Sequence, residues 1–101
     1  MNLDLEKSRR ENLRWVMLLA LNSARPLGTN EAIILSAVQP VVPDVTNHEL
    51  RRELGYLKDR QLIEISIDNN MWFCKLTRDG IDVVEYTASC DAGISRPAKY
   101  W

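Results

Sequence analysis

The side chains able to do covalent or metal chemistry are few. His48 is the single histidine, and Cys74 and Cys90 are the two cysteines, in a chain of 101 residues. These cannot make a His/Cys metal cluster, so no metal and no cofactor is expected. His48 has no second catalytic group at a suggestive spacing, and alone it suits the exposed first turn of a helix. Gly28 and Gly80 are isolated and form no phosphate-binding loop. The two cysteines make no disulfide framework and are expected to be free thiols in a reducing compartment. Arg51 and Arg52 stand between Glu49 and Glu53. They suit either a binding face or a solvated face with intrahelical partners. The expectation is a binding protein and not an enzyme.

Composition narrows what is bound. Hydrophobic residues are 46% of the chain and charged residues 27%, an ordinary mixture for one globular domain with its own core. Collagen, a long disordered tail and a multi-span membrane protein are excluded. With 13 basic and 14 acidic residues the formal net charge is −1, so any contact with nucleic acid must rest on a local patch. The N-terminal stretch has the basic, apolar, small-residue order of a signal peptide. However, its apolar run from Trp15 to Leu21 is minimal, and Asp4, Glu6 and Glu11 lie among its basic residues. No secretion, no membrane span and a cytoplasmic location are expected.

These groups must be positioned by elements of two periods. Residues 5 to 24 predict a helix with Leu13, Val16, Met17, Ala20 and Leu21 on one face and Trp15, Leu18 and Leu19 on the other. Such a helix is either central or shared with a partner. Arg25-Pro26-Leu27-Gly28 breaks it, with room for a short extended piece. Thr29 or Asn30 caps a second helix, with Glu31 in its first turn, where an acid suits the dipole, and residues 32 to 38 as its apolar body; Pro40 and Pro43 end it. Thr46 and Glu49 fit a capping box, with Val45 and Leu50 as its staple, opening a third helix that runs to about Asp59. Leu50, Leu54 and Leu57 form its buried stripe, while His48, Arg51, Arg52 and Gly55 point away.

The period then changes to two. Closing a hairpin on Asn69-Asn70 pairs Ile67 with Trp72, Ile65 with Cys74, Ile63 with Leu76, and Glu64 with Lys75. Trp72 is expected at the hairpin base, with Cys74 an inert buried thiol beside it. Thr77 caps a last helix over residues 78 to 88, and residues 89–101 read as a tail after a domain of residues 1–88.

The order helix, short strand, helix, helix, hairpin, helix resembles the winged helix-turn-helix family. The likeness is carried by residues 46 to 67, with Leu50-Arg51-Arg52-Glu53-Leu54-Gly55-Tyr56-Leu57, and by Lys75-Leu76-Thr77-Arg78-Asp79-Gly80. The whole chain, with its Arg96-Pro97-Ala98-Lys99-Tyr100-Trp101 ending, is similar to small winged-helix proteins of Mu-like phages and prophages. The resemblance implies an α+β fold with a three-helix core, a β-hairpin wing and a C-terminal helix. It implies sequence-specific double-stranded DNA binding by a small dimeric transcriptional regulator, in the cytoplasm of a bacterial host where phage-encoded. Carried over, Asn47, His48, Arg51 and Arg52 face base edges, and Lys58, Arg60, Lys75 and Arg78 contact phosphates. The chain departs from the pattern in its long loop before the third helix, in a wing tip without a basic residue, and in Glu49, Glu53 and Asp59 beside the recognition face. Those departures suit a second function, a protein-interaction module such as an accessory protein in phage assembly or DNA handling.

A homodimer is expected on the first helix. With one face of that helix supplied, Trp15, Leu18 and Leu19 would remain as an exposed apolar stripe. A two-fold dimer would cover it, with Tyr100 and Trp101 packing nearby; the competing cover is the tail itself, folded back onto this stripe within one chain or from the partner.

Overall fold

The structure, a computed structural model, describes residues 4–101. These form four helices and one three-stranded antiparallel sheet, an α+β arrangement compatible with a winged helix-turn-helix. The elements are α1 (Leu5–Ser23), β1 (Thr29–Asn30), α2 (Glu31–Val38), α3 (Asn47–Asp59), β2 (Ile63–Asp68), β3 (Met71–Leu76) and α4 (Arg78–Val84). Strand order is β1-β3-β2.

The centre of the molecule is α1, which packs against α2, α3, α4 and β3. Its two apolar faces are therefore both used within one chain. Leu13, Met17 and Leu21 are buried on one side; Leu18 is 0% and Trp15 7% exposed on the other. This corrects the expectation of a leftover stripe. Of its three members only Leu19 stays open, at 41%. The cover is the chain's own C-terminal part. Tyr86 stands edge-on to Trp15 at 6.2 Å, and Trp101 stands edge-on to Tyr86 at 4.9 Å.

Residues 89–101 contain no helix or strand, yet they are bonded to the body. Ile94 enters the core at 5% exposure, and the Ser95 N–H donates to the Glu11 carbonyl at 3.1 Å. Arg96 donates to the carbonyls of Val83 and Ala88, both at 2.9 Å. The tail's outermost rings remain in solvent, Tyr100 at 90% and Trp101 at 69% exposure.

Each helix start has the expected chemistry. Asn30 accepts from the Ile33 N–H, Thr46 from the Glu49 N–H and Thr77 from the Gly80 N–H, satisfying donors that a first turn leaves free. The capping box at Thr46 is only half formed, because the Glu49 carboxylate pairs with Arg9 of α1. Arg9 also holds Asp44 at 2.8 Å, which ties the loop before α3 to α1. Val42 and Val45 of that loop are buried.

The hairpin has the expected register, with Ile63 opposite Leu76, Ile65 opposite Cys74 and Ile67 opposite Trp72. Asn69 and Asn70 turn it with φ of 50° and 62°. That left-handed pair matches the twist of the flanking strands. The extended piece is β1, which pairs Thr29 with Cys74 and Asn30 with Phe73. The last helix is shorter than expected. It stops at Val84, and Tyr86 takes a φ of 63°. The Thr87 N–H then reaches back to the Asp82 carbonyl, closing the helix end.

Candidate nucleic-acid interface

Helix α3 presents three kinds of side chain. Leu50, Leu54 and Leu57 enter the core. Asn47, His48 and Arg52 lie in solvent at and near its N-terminal end. Arg51 and Glu53 lie between and are tied to other elements.

Arg51 is the largest departure from expectation, since it does not simply point away. Its guanidinium grips Glu31 at the start of α2 through two bonds of 2.7 Å. It also donates to the Asn70 carbonyl at the hairpin turn at 2.7 Å, and lies 4.9 Å over the Trp72 ring. Glu31 is 3% exposed and accepts in addition from the Trp72 N–H at 2.6 Å. The paired guanidinium, helped by that N–H and the Asn47 side chain, holds the Glu31 carboxyl at about 2 despite its burial. One carboxylate therefore joins α2, α3 and the hairpin. A bidentate arginine pair of this kind fixes direction as well as distance.

A second buried carboxylate does the same on the α1 side. Glu53 accepts from Arg14 at 2.7 Å and from Arg52 at 3.2 Å. Arg14 also donates to the Gly93 carbonyl and lies 3.6 Å over the Tyr56 ring. Gly93 is required there, because a Cβ would strike the Tyr56 hydroxyl. Arg52 itself remains exposed and borders two open grooves between α1 and α3, together with Arg10.

The expected phosphate contacts are spread more widely. Lys58 is exposed in the last turn of α3. Arg60 follows it, 3.5 Å from Asp91 of the tail and over Tyr56. Asp91 is held below the usual carboxylate range, first by the Gly93 N–H and then by the Tyr56 hydroxyl. Lys75 is exposed on β3 opposite Glu64, and Arg78 is exposed in the first turn of α4 beside Asp82. The structure ties Arg51 to Glu31, leaves Asn47, His48 and Arg52 exposed on α3, and puts Lys58, Arg60, Lys75 and Arg78 on other parts of the surface.

Sequence reasoning treated Glu31 only as an acid suited to a helix start and gave Arg9, Arg10 and Arg14 no role. The available signal was a lone acid heading the apolar run Glu31-Ala32-Ile33-Ile34-Leu35, where a buried charge needs a partner. Cys74 is buried, and burial pushes its thiol up to about 12. Among the described residues no group of three or more His, Cys, Asp or Glu is placed to hold a metal ion. No described helix is long and apolar enough to cross a membrane. The site offers hydrogen-bond donors and cations on a rigid helix beside a hairpin.

No family profile and no curated protein sequence matches the chain. The fold is similar to a solved structure of BpsR from Bordetella bronchiseptica, a protein whose DNA binding is regulated by 6-hydroxynicotinic acid. The TM-score is 0.63 at 23% identity, covering 82% of this chain and 56% of that one. The chain thus spans little more than half the length of the protein it resembles.

Proposed function

We propose that this chain is a winged helix-turn-helix protein that binds double-stranded DNA sequence-specifically and acts as a small dimeric transcriptional regulator. The supporting observation is α3 itself, with Asn47, His48 and Arg52 in solvent at its capped end beside a hairpin. The fold likeness to a DNA-binding protein agrees with this reading. Arg and Asn are side chains suited to guanine and adenine edges in the major groove. In this proposal Arg51 aims α3 and the wing, and Lys58, Arg60, Lys75 and Arg78 supply phosphate contacts according to how far the duplex wraps. Leu19, Tyr100 and Trp101 are the parts of the expected dimer surface left open. The test is selection from a random duplex pool, followed by binding of the enriched sequence against a scrambled one. Enrichment of a motif, with tighter binding than to the scramble, is expected. A pool that never converges contradicts sequence specificity.

A second reading, the protein-interaction module, is favoured by the hairpin. Ile67, Met71 and Phe73 are exposed there, and Asp68-Asn69-Asn70 carries no cation. An apolar hairpin whose tip carries an acid and no cation suits a protein partner better than a phosphate backbone.

A further inference from the structure

We infer that a DNA strand passes over the backbone of α3 at Gly55, along the line His48, Arg52, Gly55, and leaves it toward Arg10 of α1. This rests on the duplex-binding reading and assigns its path. Gly55 stands inside a helix of 13 residues, where glycine is less favourable than alanine. The other three glycines have reasons within the chain. A Cβ at Gly28 would strike the Cys74 carbonyl, one at Gly80 the Leu62 carbonyl, and one at Gly93 the Tyr56 hydroxyl. A Cβ at Gly55 would meet nothing within 4 Å. The fold therefore has no use for the missing side chain, and a close approach from outside does.

The surroundings favour an anionic strand. His48, Arg52 and Gly55 follow one another at helical spacing on one face. Gly55 borders an open groove of about 550 Å³ lined by four arginines, Arg10 among them, against the two carboxylates of Glu53 and Asp59. Arg9, Arg14 and Arg52 each hold a carboxylate, whereas Arg10 holds none among the described residues. That leaves Arg10 able to meet a phosphate without first breaking an ion pair. Asp59, one turn beyond Gly55, repels phosphate and turns the path off the helix axis toward Arg10. Arg51 borders the same groove, but its guanidinium is bonded to Glu31 and lies over the Trp72 ring, so it is a positioning residue.

The experiment compares the parent chain with Gly55→Ala, Gly55→Gln and Arg10→Ala, reading thermal stability and affinity for a selected duplex over a range of salt. Gly55→Ala should raise the melting temperature while weakening binding. Gly55→Gln should weaken binding about tenfold or more, by blocking close contact. Arg10→Ala should weaken binding to all duplexes alike and lower the slope of log K against log salt by about 0.9. A folded Gly55→Gln that binds like the parent, or an Arg10→Ala with unchanged salt slope, overturns the path while leaving the duplex-binding reading in place. If Gly55→Gln unfolds, the single added methyl of Gly55→Ala carries the same test. A parent that binds no duplex at any salt overturns the path and the reading together.

Discussion

Arg51 shows how a side chain's sequence setting and its structural task can differ. On a helical wheel it faces outward, next to Arg52. In the fold it is spent on Glu31, the Asn70 carbonyl and the Trp72 ring. The link has a pH signature. Glu31 is lowered from 4.5 to about 2 in the folded chain, with Arg51 as the main cause. Its folded pKa lies below its unfolded one, so its contribution is fully present above about 4.5 and lost as pH falls through about 2. Between those limits the parent should lose stability on acidification faster than Glu31→Gln, as read by urea midpoints across pH. Parallel curves would show that the carboxylate is not held down. Two neighbouring leucines make a second contrast. Leu18→Ala should cost about 2–5 kcal/mol, because it empties a core position. Leu19→Glu should leave the folding stability of a single chain within about 0.5 kcal/mol, as most surface substitutions do. Comparable losses from both would contradict the assigned burial. The sequence does not separate the two, because both lie on the same helix flank and the packing of the other elements on α1 decides which is covered.

At the scale of elements, starts were more legible than stops. Thr46, Asn30 and Thr77 announce their helices through side chains that accept first-turn N–H groups, and the structure has all three bonds. The alternating Ile63, Ile65 and Ile67 with Asn69-Asn70 defined the hairpin register, because a slip of one residue would turn the apolar set outward. Helix ends were marked unevenly: proline follows α1 and α2 and α3 stops at the expected Asp59, but nothing marked the end of α4 at Val84. α3 closes with Gln61 at a φ of 63°, its N–H on the Lys58 carbonyl and the Leu62 N–H on the Leu57 carbonyl. α4 closes in the same way on Tyr86. Glycine is the usual residue at such a position, so glutamine and tyrosine gave no warning. Replacing Gln61 by Gly should therefore raise stability by about 1 kcal/mol, by relieving the left-handed strain of a residue with a Cβ. Thr46→Ala should lower it by about 1 kcal/mol through the lost cap. Thermal unfolding of both variants checks the pair. A Gln61→Gly chain less stable than the parent would mean that the glutamine side chain is itself needed.

At the scale of the molecule, the tail changes the account most. The sequence shows residues 89–101 as polar and irregular, with few clues to long-range contact. Ile94, Arg96 and the Tyr86–Trp101 contact join this stretch to the helices. A chain ending at residue 88 should therefore melt lower than the parent in thermal unfolding. For the proposed dimer, a charge at Leu18 would damage the core, where that residue is fully buried. Leu19→Glu is the clean variant, and light scattering should show a dimeric parent and a weakened dimer. A monomeric parent at tens of micromolar would remove the dimer.

The site was partly legible. Asn47, His48 and Arg52 do lie open at the end of α3, whereas the partners that aim the helix, Glu31 for Arg51 and Arg14 for Glu53, lie at distant positions and appear only when α1, α2 and the hairpin meet. The proposed contact of α3 with duplex DNA is tested by an amide chemical-shift titration of the labelled chain with a selected duplex. The largest changes are expected from Asn47 to Gly55, extending to Arg10 and diminishing with added salt. Changes confined to the exposed hairpin residues Ile67 to Phe73, or to Tyr100 and Trp101, would contradict it.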